Sequence, residues 1–202
     1  MLLVIGHGRE QSLCHSLARG VLEELREREV PCRVHDLLRD GFDPSLRLAP
    51  GARHATACAP EEDALVHGYQ RDVRWASLLV FVHPSWWFAP PAILKGWIDR
   101  VLVHEVAIEQ RDDGPPRPLL GGRAALVVQT YNAPRLADRV LCRGVSGSFW
   151  RRVVCPSVGL HPLSQVALYE VEGMDAAGFA AARARVSRAL ARLIWRPGLH
   201  SV

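Results

Sequence analysis

The chain has 202 residues, enough for one domain with a sizeable core and no need of disulfide or metal staples. Hydrophobic residues make up 49% and charged residues 23%, values ordinary for a folded globular protein. The net charge of +4 comes from dispersed arginines without a basic face or a recognisable nucleic-acid module, which argues against nucleic acid and leaves small anions as the better partners.

The N-terminal run MLLVIG is short, apolar and closed by glycine, the pattern of a strand buried on both faces. It is too short and lacks the basic flank of a secretion signal, and no run approaches the roughly 20 apolar residues of a membrane span. The five cysteines at 14, 32, 58, 142 and 155 form no CxxC pair and read as free thiols. A cytoplasmic protein without membrane insertion is expected.

After the loop GHGREQ, residues 12–29 carry Leu13, Leu17, Val21, Leu22 and Leu25 at helical spacing, with Ser12 as N-cap. PCRVHDL is a second strand, and residues 39–60 form a long loop of the kind that is usually functional or mobile. A helix over 61–75 is opened by acidic residues, and LLVFV (78–82) is the third strand. The loop HPSWWFAPP leads into the amphipathic helix AILKGWIDRVL, where Trp97 sits on the apolar stripe and belongs to the core. Residues 107–122 are polar and rich in Pro and Gly. RAALVVQT is a fourth strand, 134–155 is loosely helical, LSQVALYEV (163–171) is a fifth strand, and an Ala/Arg helix follows.

Strand and helix alternate five times, which predicts an α/β sandwich around a parallel sheet in a single domain over residues 1–202. Ligands in such sheets bind outside the carboxyl ends of the strands. Three loops leaving such ends, 6–12, 83–91 and 130–134, are expected to converge on one site. The first joins a strand to a helix N-terminus, where unpaired N–H groups and the positive end of the helix dipole suit a phosphate. A tight turn with a capping serine accounts for the same residues. Neither GxGxxG nor a Walker lysine–serine pair is present. The second loop sets Trp86, Trp87 and Phe88 among Pro84, Pro90 and Pro91, a stiffened planar surface suited to a flat heterocycle.

Other chemistries lack their residues. No HExxH or comparable histidine spacing is present, His104–Glu105 has no second ligand nearby, and GVSGS ends in Ser where GxSxG needs Gly.

The segment HPSWWFAPPAILKGWIDRVL resembles the signature of the flavodoxin-like NAD(P)H:quinone oxidoreductases, a family of diaphorase-type quinone reductases, modulator-of-drug-activity proteins and ancillary flavoproteins of potassium efflux systems. His7 and Ser12 match its His-x4-Ser loop, GFDPSL (41–46) its phenylalanine–aspartate–proline motif, and QTYNAP (129–134) its threonine turn. The resemblance implies a flavodoxin-like three-layer sandwich with strand order 2-1-3-4-5. It implies tightly bound FMN or FAD, NAD(P)H as co-substrate, a quinone-like small-molecule acceptor, and usually a homodimer. It places the flavin against Pro84, Ser85, Trp86, Trp87 and Phe88 and against Thr130, Tyr131 and Asn132. The phosphate falls at His7, Ser12, Leu13 and Cys14.

Gln70 aligns with a position from which the family often reaches the partner's flavin. Cys14 stands where the family often has Asn, and Tyr131–Asn132 replaces the diaphorase glycine pair. No clear counterpart of the family's hydride-assisting Tyr and His is present; Tyr131 is the remaining side-chain candidate for catalysis. Arg135 and Arg139 are either phosphate contacts for the nicotinamide nucleotide or surface charges. A transporter-bound redox sensor and a flavodoxin-like electron carrier are the alternatives to an enzyme, the carrier disfavoured by the positive charge.

Overall fold

The computed structural model describes residues 1–46 and 64–194. Five parallel strands form one sheet: β1 (Leu2–Ile5), β2 (Arg33–Asp36), β3 (Leu78–Pro84), then β6 (Ala124–Thr130) and β7 (Leu163–Leu168), in spatial order β2-β1-β3-β6-β7. This is the expected 2-1-3-4-5 order. The numbering differs because a two-stranded hairpin, β4 (Ile108–Glu109) and β5 (Arg117–Pro118), is inserted in the polar segment 107–122. Two-residue strands carry too little periodicity to be read from sequence.

Because side chains alternate along a strand, each central strand feeds two cores. Leu3, Ile5, Val80, Val82, Leu126 and Val128 face α1 (Leu13–Glu27) and the C-terminal helix α6 (Ala176–Ile194). Leu2, Val4, Leu79, Phe81, Ala125 and Val127 face the other side, with α2 (Ala64–Trp75), α3 (Ala92–Val101) and the segment holding α4 (Val145–Ser148) and α5 (Cys155–Val158). All seven residues of β3 and of β6 are buried, which explains the apolar runs Leu78–Val82 and Ala124–Val128 that open them.

Trp97 is fully buried, as its place on the helical stripe predicts, and Trp150 joins it on the same face. Their rings bracket Phe81 at centroid distances of 5.6 and 4.6 Å. The stretch 134–155 departs from a regular helix, since it runs through wide-turn π segments at 137–141 and 149–154 around α4. The fifth strand stops at Leu168, before Tyr169, and α2 begins at Ala64; residues 61–63, most of the 39–60 loop and Cys58 lie outside the described residues. Among the described residues the cysteines are unpaired and no helix is long and apolar enough to cross a membrane.

Candidate active site

The three singled-out loops meet at the carboxyl end of the sheet. His7, Gly8, Arg9, Ser12, Leu13 and Cys14, then Pro84, Ser85 and Trp86, then Thr130 and Asn132 line one open cleft of about 590 Å³. Val171 and Glu172 complete it from the loop after β7. Those two residues carry no local signature. They enter because β7 lies beside β6 in the sheet, and Glu172 Oε2 accepts a hydrogen bond of 3.1 Å from Asn132 Nδ2.

At the first loop the chain leaves β1 through Gly6, where a Cβ would sit 2.7 Å from that of Leu94 on α3, so only glycine lets this loop approach the helix. Ser12 then caps α1 in extended conformation, its Oγ accepting from the His15 amide at 3.3 Å, while the Ser16 amide bonds to the Ser12 carbonyl. That leaves the amides of Leu13 and Cys14, which the helix cannot satisfy from within. His7 Nδ1 accepts from the Arg9 amide at 2.9 Å, and its ring meets Trp86 edge-on at 5.8 Å. Burial, with His15 and Arg9 nearby, lowers the His7 pKa.

Cys14 occupies the family's asparagine position as an inert thiol. It is buried, its Sγ lies 3.5 Å from Thr130 Oγ1, and desolvation pushes its pKa up to about 11. It therefore stays protonated near neutral pH and adds no charge to the cleft.

The second loop is a turn at the end of β3. Trp86 and Ala89 exchange two backbone hydrogen bonds of 3.0 Å, enclosing Trp87 and Phe88, both with positive φ (51° and 55°). Positive φ at both central residues is the backbone of a type I′ turn, which normally selects Asn or Gly. This corrects the expectation of a three-ring wall. Trp86 lines the cleft, but Trp87 is 99% exposed at the turn's tip and Phe88 turns toward Tyr131, with ring centroids 6.4 Å apart. A tight turn sends its successive side chains in different directions, so three adjacent rings cannot share one face.

Behind the turn, Ser85 N–H bonds to the Thr130 carbonyl at 2.7 Å and ties the wall to β6. His83 is fully buried; its Nδ1 is 2.8 Å from the Pro84 carbonyl, and Trp150 Nε1–H donates to its Nε2 at 3.1 Å. That pattern requires the neutral ring with hydrogen on Nδ1. Burial lowers the His83 pKa to about 4.

Tyr131, within the third loop, is buried and does not line the cleft. It is 3% exposed, stacked on Tyr169 at 4.8 Å, and burial raises its pKa. Gln70 is also absent from the cleft: its side-chain amide donates to the Arg100 carbonyl at 3.2 Å and joins α2 to α3. That bond within the chain gives Gln70 a structural role. Arg135 and Arg139 are exposed. Among the described residues no cluster of His, Cys, Asp or Glu could hold a metal.

A family profile described as a flavodoxin-like fold matches residues 1–190. The chain belongs to that family. Within it, the chain is 31% identical over 171 residues to a mouse ribosyldihydronicotinamide dehydrogenase [quinone], spanning 74% of this chain and 69% of that protein. A ribosyldihydronicotinamide dehydrogenase-like protein of Penicillium crustosum is 30% identical over 169 residues, covering 73% of this chain and 62% of its own length, so the chain spans less than two thirds of that relative. The crystal structure of Smu.1420 from Streptococcus mutans superposes with a TM-score of 0.78 at 27% identity, covering 93% of this chain and 96% of that one. The flavodoxin-like family thus accounts for the strand order and for the place of the cleft at the strands' carboxyl ends.

Proposed function

We propose that the chain is a flavin-dependent NAD(P)H:acceptor oxidoreductase that reduces quinones or similar electrophiles by two electrons. The observation that carries this reading is the cleft. At one end is a capped helix N-terminus with the Leu13 and Cys14 amides left over. Along its side runs a wall locked by the Ser85–Thr130 hydrogen bond. The first feature suits a phosphate and the second a planar ring system.

The residues present fit FMN or FAD. His7, Ser12, Leu13 and Cys14 would hold the phosphate side, and Pro84, Ser85, Trp86, Thr130 and Asn132 would flank the ring. The chemistry a bound flavin supplies is two-electron transfer from NAD(P)H to an acceptor. The chain's own part is to bind, orient and present fixed dipoles. Pro84 restricts the backbone, the neutral His83 pins the Pro84 carbonyl, and Ser85 is tied to Thr130, so the wall needs little reorganisation on binding. No acid–base pair is required of the side chains, which accords with Tyr131 lying behind the cleft. The reading places the enzyme in the cytoplasm as a homodimer acting on a small-molecule acceptor.

The test is direct. The purified protein is expected to be yellow or to load with FMN or FAD, and to oxidise NADH or NADPH when a benzoquinone is supplied. A protein that takes up neither flavin would sink the reading. Flavin binding without quinone reduction would favour an electron carrier or sensor.

A further inference from the structure

Beside the cleft, and sharing Ser12 with it, lies a second cavity of about 780 Å³, lined by His15, Asp36, Arg39 and Asp40 among others. Ser12, His15 and Asp36 are each less than a tenth exposed and are joined in a line. Ser12 Oγ is 2.8 Å from His15 Nδ1, and His15 Nε2 is 3.2 and 3.4 Å from the two Asp36 oxygens. Sequence reading assigns Ser12 alone to the site; His15 and Asp36 are brought to it by the helical turn and by the pairing of β2 with β1.

The hydrogen positions follow from counting. A carboxylate only accepts, so with Asp36 ionised His15 Nε2 carries a hydrogen. The Ser12 oxygen already spends one lone pair on the His15 amide. If His15 is neutral, Nδ1 is bare and the Ser12 hydroxyl must give its hydrogen to it; Ser12 then shows the cleft only its one remaining oxygen lone pair, the wrong polarity for an anion. If His15 is protonated, Nδ1–H donates to Ser12 and fills the second lone pair. The hydroxyl hydrogen is then free to point to the cleft, with a cation one residue behind it.

We propose that His15 is a positioning residue for the flavin phosphate, and that the phosphate binds with uptake of one proton by the Ser12–His15–Asp36 array. The proposal rests on the flavin reading above, and it adds a proton linkage to that site. The charged and titratable groups around His15 are Asp36 at the end of β2, Arg39 and Asp40 after it, His7 and Glu10 before α1, and Arg19 on α1. Arg39 is already engaged by Asp36 and Glu10, at 3.5 and 3.8 Å. His7, whose ring centroid is 6.1 Å from that of His15, is the other group able to take up a proton, and a variant must separate the two.

Calorimetric titration of flavin-free protein with FMN at pH 8, in buffers of different ionisation enthalpy, counts the protons taken up. About one is expected for FMN and none for riboflavin, which lacks the phosphate. The FMN Kd should rise with pH, by up to roughly tenfold per pH unit for the uptake of one proton. In His15→Gln both the uptake and the slope should vanish. Zero uptake in the native protein overturns the proposal, as does uptake that survives in His15→Gln. NMR titration of the His15 ring in the native protein, with and without FMN, gives the answer even where the variant fails to fold; a ring pKa unmoved by FMN overturns the proposal. FMN binding without proton uptake defeats this linkage alone, whereas failure to bind any flavin at any pH defeats the flavin reading as well.

Discussion

Each of the two core tryptophans donates its indole N–H to a buried histidine, Trp97 to His35 at 3.2 Å and Trp150 to His83 at 3.1 Å. An indole N–H buried without a partner costs about 1–3 kcal/mol, so each histidine is bound to stay an acceptor on that side. For His83 this makes acid destabilising. Its folded pKa of about 4 lies below the unfolded value, so the unfolded chain binds the proton first as pH falls. The His83 contribution to stability is then level above about pH 6.5 and declines from there to about pH 4, by up to roughly 3 kcal/mol. Urea midpoints at pH 7, 5.5 and 4.5 measure the decline, and His83→Gln should flatten it. At this scale the sequence shows which residues are present and where on a stripe they fall. That is how Trp97 is legible as core. Trp87 is misleading for the same reason, because its direction is set by two positive φ angles that no neighbouring residue type announces.

At the scale of elements, α3 owes its glycine to a crossing. A Cβ on Gly96 would collide with the backbone and ring of Pro44, so the GFDPSL loop and the KGW helix, both features of the family resemblance, are two halves of one contact. Arg100, one turn further on, donates to the Asp43 carbonyl and lies over the Phe42 ring at 5.3 Å. Gly96→Ala should therefore lower stability by about 1–3 kcal/mol despite alanine's better helix propensity. Gly68→Ala on α2 is the matched control. Its Cβ would meet only the end of Arg71 at 3.8 Å, so a gain of up to about 1 kcal/mol is expected. Thermal melts of the two variants should move in opposite directions. Both motifs are visible in the sequence, but their contact is a tertiary fact.

For the whole molecule, the segment after the third loop concentrates exposed apolar side chains. Leu136, Val140, Leu141, Val145 and Val153 are each more than half exposed within eighteen residues that also hold the π-helical turns. If the protein pairs through this segment, Leu141→Asp should halve the mass seen by light scattering after gel filtration and leave far-UV circular dichroism unchanged. A native protein that already elutes as a monomer would refute the homodimer.

The alternation of apolar runs and amphipathic stretches determined the five-stranded parallel sheet, because a strand buried on both faces and a helix with one apolar stripe each leave a distinct local period. It also determined which three loops would meet, since parallel strands put all their carboxyl ends on one edge. Only the tertiary structure decided which side chains of those loops face the cleft. It added Val171 and Glu172 through strand adjacency, and it placed His15 and Asp36 behind Ser12. Local patterns record burial along one element. The lines of hydrogen bonds that set a site's polarity run between elements, and they exist only once those elements have packed.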